Sequence, residues 1–330
     1  MTREPASRPS EAAGLRALWR ARPAHYSRAL WVLMLGLDIL PWPWGEDILA
    51  RLFMAVGAVR ASRRRRATAW ARAHPGYRPW RLAAALSAFR GRWVARSWLL
   101  GLRCPDDLRR HLVVRGEEHL TAMPGAAILL GFHLGPPNAD LALRILGHRL
   151  TWLGGQRISR GWWREAWRPF LDSSQHLAPS WGEERFWSGL VYRARRILLD
   201  GGNVFLMADG AGRGMFRVSL PARAALIKPG WLVLHRHTGA RVLPVLTHLE
   251  GRTQVITIHP PLPMSGSDPA GEGGAWRDTL TSLLKSYVRQ FPEQCPALVF
   301  SFRSRPDVGE EQERPERRAS ALTGEDARTL

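Results

Sequence analysis

The chain has 330 residues, 45% of them hydrophobic, and a formal net charge of +20 at pH 7. This length and apolar content are enough to bury a sizeable core in one or two domains. The two cysteines, Cys104 and Cys295, are far apart in the sequence, which excludes a cysteine-based metal or redox motif, and no metal site is predicted. The positive charge, nearly all of it arginine, indicates a polyanionic partner: a nucleic acid, an anionic membrane or an acidic protein.

The N-terminal part of the chain is predicted to be a tail followed by helices. Residues 1–24 are polar and rich in arginine, proline and alanine, and we expect them to be loosely ordered. Residues 25–105 predict a helical membrane-associating region, because short apolar stretches alternate there with tryptophan and arginine. None of these stretches reaches the roughly 20 residues that span a bilayer, which favours a monotopic or peripheral attachment. The Arg63–Arg66 run also resembles a nucleic-acid patch, but no nucleic-acid-binding fold signature accompanies it.

Residues 106–303 predict an α/β domain, a layered sheet with flanking helices, because apolar strand-like segments alternate with helical ones. The predicted strands are Leu112–Arg115, Ala126–Phe132, Leu150–Leu153, Val204–Ala208, Val242–Thr247, Gln254–His259 and Ala297–Phe302. The predicted helices are Ala139–Leu146, Arg160–Asp172, Glu184–Asp200, Pro229–Arg236 and Ala275–Arg289. Residues 304–330 are charged without an apolar period and predict a disordered tail.

His133 is the first candidate for a catalytic residue. It follows an apolar strand-like run and precedes Pro136-Pro137 and a predicted helix. This is where α/β sheets place ligand sites. The start of the following helix disfavours a charged imidazolium, so that a neutral base is available there.

A glycine-rich segment, Asp209–Gly214, is the second candidate for a site. It follows a predicted strand, and its glycines let the backbone approach a ligand closely. Arg213 can form a bidentate contact with a phosphate, and Arg157, after another predicted strand, is a further phosphate candidate. No helix with the glycine spacing of a dinucleotide site follows, and no cofactor is predicted.

Four sequence blocks carry a resemblance to a known family over about residues 25–305. They are Val113–Leu120, which leads into the strand before His133, then Gly201–Asp209, His237–Val245 and Phe291–Gln294. In this order and spacing they resemble the lysophospholipid acyltransferase superfamily. The branch most similar to them is that of the late lipid A (lauroyl/myristoyl) acyltransferases and the phosphatidylinositol mannoside acyltransferases. The resemblance implies a glycerolipid acyltransferase-like fold.

In that family a His-x4-Asp (or Glu) motif carries the chemistry: the histidine takes a proton from the acceptor hydroxyl and the carboxylate orients the ring. Five residues after His133 stands Asn138, and Asp140 lies two residues further on. Either Asn138 occupies the orienting position, or the Pro136-Pro137 segment bulges so that Asp140 reaches the ring. On a helix that opens at Pro137 the two side chains point roughly 200° apart, so only one of them can face the histidine.

The resemblance implies transfer of a fatty acyl group from acyl carrier protein or coenzyme A to a hydroxyl of an anionic membrane (glyco)lipid. His133 would be the general base, and the segment with Asp209 and Arg213 would bind the polar head of the acceptor. The implied location is the cytoplasmic face of the bacterial inner membrane. The alternative is a catalytically silent relative that binds lipid without transferring a chain, because Asn138 stands where the family has an acid.

Overall fold

The computed structural model describes residues 32–33, 36–37, 40–102, 105–122, 124–153, 176–177, 185–209, 216–221, 223–264 and 274–301. Within these residues the protein has a mixed α/β architecture, as the sequence predicts. The predicted tails, the predicted helix Arg160–Asp172 and the candidate site residues Arg157 and Arg213 lie outside the described residues.

The described elements follow the predicted alternation of strands and helices. The helices are α1 Trp42–Val59, α2 Ala61–Arg72, α3 Pro79–Leu102, α4 Pro105–Arg109, α5 Glu118–Thr121, α6 Ala139–Ile145, α7 Arg185–Leu199, α8 Gly230–Thr238 and α9 Ala275–Gln290. The strands are β1 Leu112–Arg115, β2 Ala127–Gly131, β3 Thr151–Leu153, β4 His176–Leu177, β5 Val204–Met207, β6 Phe216–Leu220, β7 Arg223–Ile227, β8 Arg241–Glu250 and β9 Thr253–Ile258.

Seven of the described strands form a mostly parallel sheet in the order β1-β9-β8-β2-β5-β3-β4. Its only antiparallel pair is that of β8 and β9, while β6 and β7 form a separate antiparallel hairpin. Strand β2 lies at the centre, and all of its residues are buried. Its continuous apolar sequence, Ala-Ile-Leu-Leu-Gly, is typical of a parallel strand that is covered on both faces.

Helices cover both faces of the sheet. Successive side chains of a strand point to opposite faces, and those of β2 enter two different hydrophobic cores. Ile128 and Leu130 pack in the first core, together with side chains of α7, α8 and α9. Ala127 and Leu129 pack in the second core, together with side chains of α6 and α1. The sheet is therefore the middle layer between two layers of helices.

The helices of the predicted membrane-associating region take part in these cores. Helix α3 contributes Leu86 to the first core and Val94 to the second. Helix α1 packs closely against α3, because a Cβ atom at Gly91 would collide with the backbone of Leu49. Within the described ranges, every helix is too short or too polar to span a bilayer.

The predicted strand Ala297–Phe302 is wrong, since a π-helical turn occupies Ala297–Ser301. Ala297, Leu298 and Val299 are buried all the same. A short continuous apolar run indicates burial, but it has no periodicity that distinguishes a strand from a buried helical segment.

Candidate active site

Asp209 lies beside His133 because of the register of two adjacent strands. Strands β2 and β5 pair in parallel, with Gly131 opposite Met207. The ladder continues for one further step, where the Ala208 N–H donates to the Gly131 carbonyl oxygen at 2.9 Å. Two residues beyond the two strand ends, His133 and Asp209 meet at the carboxyl edge of the sheet, where ligand sites of α/β sheets are found.

The carboxylate of Asp209 holds both the ring and the backbone of His133. Nδ1 of His133 lies 2.8 Å from Oδ1 of Asp209. The backbone N–H of His133 donates to Oδ2 at 2.9 Å and to Oδ1 at 3.1 Å. Asp209 is only 3% exposed, whereas the side chain of His133 is 37% exposed. A buried carboxylate that holds a partly accessible imidazole is the arrangement of a general base and its orienting acid.

The contact also selects the tautomer of the histidine. An ionised carboxylate accepts hydrogen bonds and cannot donate them, so Nδ1 carries the hydrogen and donates it to Asp209. The lone pair of the neutral ring is then on Nε2, which can accept a proton from a hydroxyl group. When the ring becomes charged, the carboxylate 2.8 Å away stabilises it.

Hairpin β6–β7 supports the orienting acid from its other side. Asp209 forms an isolated antiparallel bridge with Ile227 at the end of β7. The N–H of the next residue, Lys228, donates to the carbonyl oxygen of Ala208 at 2.7 Å. The backbone of Asp209 is therefore fixed between β2 and β7.

Buried groups hold the loop that follows His133. Thr247 of β8 donates from Oγ1 to the Pro136 carbonyl oxygen at 2.8 Å, and the Gly135 N–H donates to the Gln294 carbonyl oxygen at 2.8 Å. Gly135 has a φ of 69°, and a Cβ atom there would collide with the Thr247 carbonyl. Glycine is therefore the residue that this close approach requires.

A chain of buried polar side chains connects the same loop to the N-terminal helices. Gln254 of β9 donates from Nε2 to the Pro137 carbonyl oxygen at 3.3 Å. Nη1 of Arg96, on α3, donates to Oε1 of Gln254 at 3.5 Å. Arg96 also donates to both carboxylate oxygens of Glu46, on α1, at 3.1 and 3.2 Å. The position of the His133 loop thus depends on contacts that reach as far as α1.

Asn138 initiates helix α6 and does not orient the ring. It has φ 65° and ψ 40°, and it is the only non-glycine residue with a positive φ in the described part of the chain. Asparagine visits this left-handed region more readily than most residues. Its carbonyl oxygen accepts the N–H of Ala142 at 3.0 Å, while its buried Nδ2 has no hydrogen-bond partner among the described residues. The expected contact between Asn138 and His133 is therefore not found among the described residues, and the ring of His133 contacts Asp209 instead.

Asp140 does not reach the ring either. It lies in the first turn of α6 and is 3% exposed. Among the described residues, no hydrogen bond or ion pair joins Asp140 to His133. Burial raises the pKa of Asp140, while the positive charge of Arg144 acts in the opposite direction. The expected bulge that would bring Asp140 to His133 is thus absent, and Asp209, expected to bind substrate, is the carboxylate at the ring.

The sequence predicts Asp209 as a site residue, but it did not lead to the prediction that Asp209 contacts His133. The available signal was that two predicted strands end within two residues of His133 and of Asp209, since parallel neighbours would bring these ends together. In the described part of the chain, no group of three or more histidine, cysteine or acidic side chains could hold a metal ion.

A comparison of the chain with protein-family models finds no match, and a comparison with curated proteins finds none either. The function therefore has to be inferred from the chemistry of the site and from the sequence blocks around it.

Proposed function

We propose that the protein is an O-acyltransferase that moves a fatty acyl group from a thioester donor to a hydroxyl of a membrane (glyco)lipid. The donor would be acyl carrier protein or acyl-coenzyme A. The observation that carries the proposal is the 2.8 Å contact between Nδ1 of His133 and the buried carboxylate of Asp209. The donor and acceptor classes come from the resemblance of the four sequence blocks to lipid acyltransferases.

In the proposed reaction the acceptor hydroxyl binds against Nε2 of His133. The ring takes the hydroxyl proton as the oxygen attacks the thioester carbonyl carbon, and Asp209 stabilises the imidazolium that forms. The tetrahedral intermediate then collapses: the C–S bond breaks, and the proton on Nε2 passes to the leaving thiolate. The products are an ester on the lipid and a free thiol on the donor.

Asp209 supports an active enzyme over a catalytically silent lipid-binding relative. Loss of the orienting carboxylate costs on the order of 10⁴ in rate in a Ser-His-Asp triad. Asn138 alone offers only an amide at the family position, which cannot offset the positive charge of the ring. The carboxylate of Asp209 lies within hydrogen-bond distance of Nδ1. From its place after β5 it supplies the negative charge that offsets the positive charge of the ring.

The proposal is tested by an acyl-transfer assay on the purified protein. Radiolabelled thioesters of acyl carrier protein and of coenzyme A are offered with a lipid A precursor, a mannosylated phosphoinositide and a lysophospholipid as acceptors. We expect an esterified lipid with the unmodified chain and none with His133→Ala. His237→Ala, a change of an exposed histidine on α8, is the matched control and should retain turnover.

Undiminished turnover by His133→Ala would show that His133 is not the general base. Binding of an acceptor lipid with no transfer from either donor would favour the silent relative instead.

A further inference from the structure

A polar groove of about 510 Å³ lies on the carboxyl-terminal half of helix α9. The described residues that line it are Ser282, Lys285, Ser286, Arg289 and Gln290. They follow one another at steps of three and four positions, which is the spacing of neighbours on one face of a helix. The volume is in the range of sites that hold a small molecule. The groove is therefore a candidate binding site that the proposed acyl transfer does not use.

The two cations of the groove have no acid to neutralise them. Lys285 and Arg289 are four residues apart, so their side chains reach the same part of the groove. Among the described residues, no ion pair joins either of them to a carboxylate. Asp278 lies roughly two helical turns before Lys285, and Glu293 follows the end of α9. Two unpaired positive charges one turn apart predict an anionic ligand.

Two hydroxyl groups of the same face are available to a ligand. Thr279, also on α9, donates its hydroxyl to the carbonyl oxygen of Ala275 at 2.9 Å, as serine and threonine in helices often do. The hydroxyls of Ser282 and Ser286 have no such partner among the described residues, and both serines are exposed. They can therefore form hydrogen bonds with the oxygens of a ligand that the cations attract.

The buried face of α9 points the other way, toward the His133 loop. Tyr287 donates from its hydroxyl to the Thr247 carbonyl oxygen at 2.6 Å, and Thr247 donates from Oγ1 to the Pro136 carbonyl oxygen at 2.8 Å. Tyr287 is two positions away from each cation of the groove, which puts it on the opposite side of the helix. A ligand in the groove would therefore be separated from the His133 loop by α9 itself.

We propose that this groove binds a sugar phosphate, a small water-soluble phosphate ester. Lys285 and Arg289 would hold the phosphate, and the guanidinium can donate two hydrogen bonds to its oxygens at once. Ser282, Ser286 and Gln290 would bind hydroxyl groups of the sugar.

The chemistry of the described lining selects this class of ligand. It has no apolar side chain that could hold an acyl chain and no aromatic ring on which a base could stack, which disfavours a phospholipid and a nucleotide. The negative end of the α9 dipole lies near Arg289, so an anion is held there only if both cations outweigh the dipole. The inference goes beyond the proposed acyl transfer and does not depend on it.

The test is isothermal titration calorimetry of the full chain with glucose 6-phosphate, inorganic phosphate and glucose. Salt at about 0.15 M screens attraction to the total charge of the protein. We expect one saturable site for glucose 6-phosphate, weaker binding of inorganic phosphate, because it lacks the sugar hydroxyls, and no binding of glucose.

A pair of variants separates the charge of the groove from total charge. Lys285→Gln with Arg289→Gln should weaken binding of glucose 6-phosphate at least about tenfold, because hydrogen bonds from charged groups to the phosphate are lost. The matched control, Arg65→Gln with Arg193→Gln, removes two charges from exposed positions on α2 and α7, so that +20 becomes +18 in both cases. The control should bind as the unmodified chain does. Circular dichroism checks the fold of each variant.

Equal losses in the two charge variants would overturn the proposal, since they would show attraction by total charge alone. The lack of saturable binding of glucose 6-phosphate by the unmodified chain would overturn it as well. Inorganic phosphate bound more tightly than the ester, or glucose bound as tightly as the ester, would overturn the choice of a sugar phosphate as the ligand.

Discussion

Arg96 on α3 and Glu46 on α1 form a buried ion pair in which two arginine nitrogens donate to the two carboxylate oxygens, at 3.1 and 3.2 Å. The side chain of Arg96 is fully buried and that of Glu46 is 4% exposed. Arg96 also donates from Nη2 to the carbonyl oxygen of Arg252 at 2.7 Å. Two buried charges are tolerated here because the guanidinium and the carboxylate neutralise each other and are hydrogen-bonded to each other.

Replacing Arg96 with methionine should lower the free energy of unfolding by about 3–5 kcal/mol, because the charge of Glu46 remains buried without its partner. Urea unfolding at neutral pH measures the loss. Glu46→Gln combined with Arg96→Met removes both charges and should recover part of the lost stability. A double variant as unstable as Arg96→Met alone would argue against a buried charge as the cause.

Replacing Gln254 with leucine should lower kcat of the proposed acyl transfer while KM changes little. The substitution removes the donor to the Pro137 carbonyl, so the loop that follows His133 loses a fixed point. The unpaired carbonyl should also cost about 1–3 kcal/mol of stability. Val255→Ala, one position further along β9, is the control, because it disturbs the same buried strand, while a valine side chain has no hydrogen bond to the loop to lose. If Val255→Ala lowers kcat equally, Gln254 has only a structural role.

Asp209→Asn should lower the rate of acyl transfer on the order of 10⁴-fold, as does the equivalent change in a Ser-His-Asp triad. The amide keeps the size of the side chain but cannot offset the charge of the ring, and it favours the wrong tautomer. Asp140→Asn should leave most of the activity, because no hydrogen bond or ion pair joins Asp140 to His133 among the described residues. The assay compares both variants at saturating donor. Equal loss in the two would contradict the assignment of Asp209 as the orienting acid.

The strands that carry the site were predictable from the sequence, whereas their pairing was not. The runs before His133 and Asp209 are almost wholly apolar, and the structure confirms them as β2 and β5. Their adjacency joins residues 76 positions apart in the sequence. Such a pairing depends on how the whole sheet packs, and local patterns do not report it. Comparison with the His-x4-Asp motif, which considers only residues that follow His133 closely in the sequence, therefore selected Asn138 and Asp140.

The role of Asn138 also could not be predicted from the sequence alone. An asparagine five residues after a histidine indicates a side-chain role when it is compared with the family motif. The structure gives it a backbone role, in a left-handed conformation at the start of α6. Sequence alone cannot separate these roles, because asparagine serves both as an amide ligand and as one of the few residues that enter this region readily.

Asn138→Ala should lower the free energy of unfolding by about 1–2 kcal/mol, because alanine is strained at a positive φ. Asn138→Gly should keep stability close to that of the unmodified chain, since glycine has no such strain. Thermal unfolding measures both. Asn138→Asp restores the acid of the family motif, yet it should not raise acyl transfer, because the orienting position is already taken by Asp209. A marked gain in activity would return the orienting role to position 138.

Glu250, at the end of β8, should make stability depend on pH in the acid range. The carboxylate accepts hydrogen bonds from Nη1 and Nη2 of Arg115 at 2.8 and 2.9 Å, and its Oε1 lies 2.9 Å from Nε2 of His248. The hydrogen bonds with Arg115, and after them the one with His248, lower the pKa of Glu250 to about 2. Because this folded-state pKa lies below the ordinary value of 4.5, the contribution to stability is present above pH 4.5 and is lost as the pH falls toward 2.

Glu250→Gln should therefore reduce stability at pH 7 and flatten its decline between pH 4.5 and pH 2, with little further difference from the unmodified chain at the acid end. Urea midpoints measured at intervals across this range test the expectation. Glu118→Gln is the control, since His119, at 4.0 Å, is the only partner of this exposed carboxylate among the described residues. A profile of Glu250→Gln that runs parallel to that of the unmodified chain down to pH 2 would show that the Arg115 contact does not hold in solution.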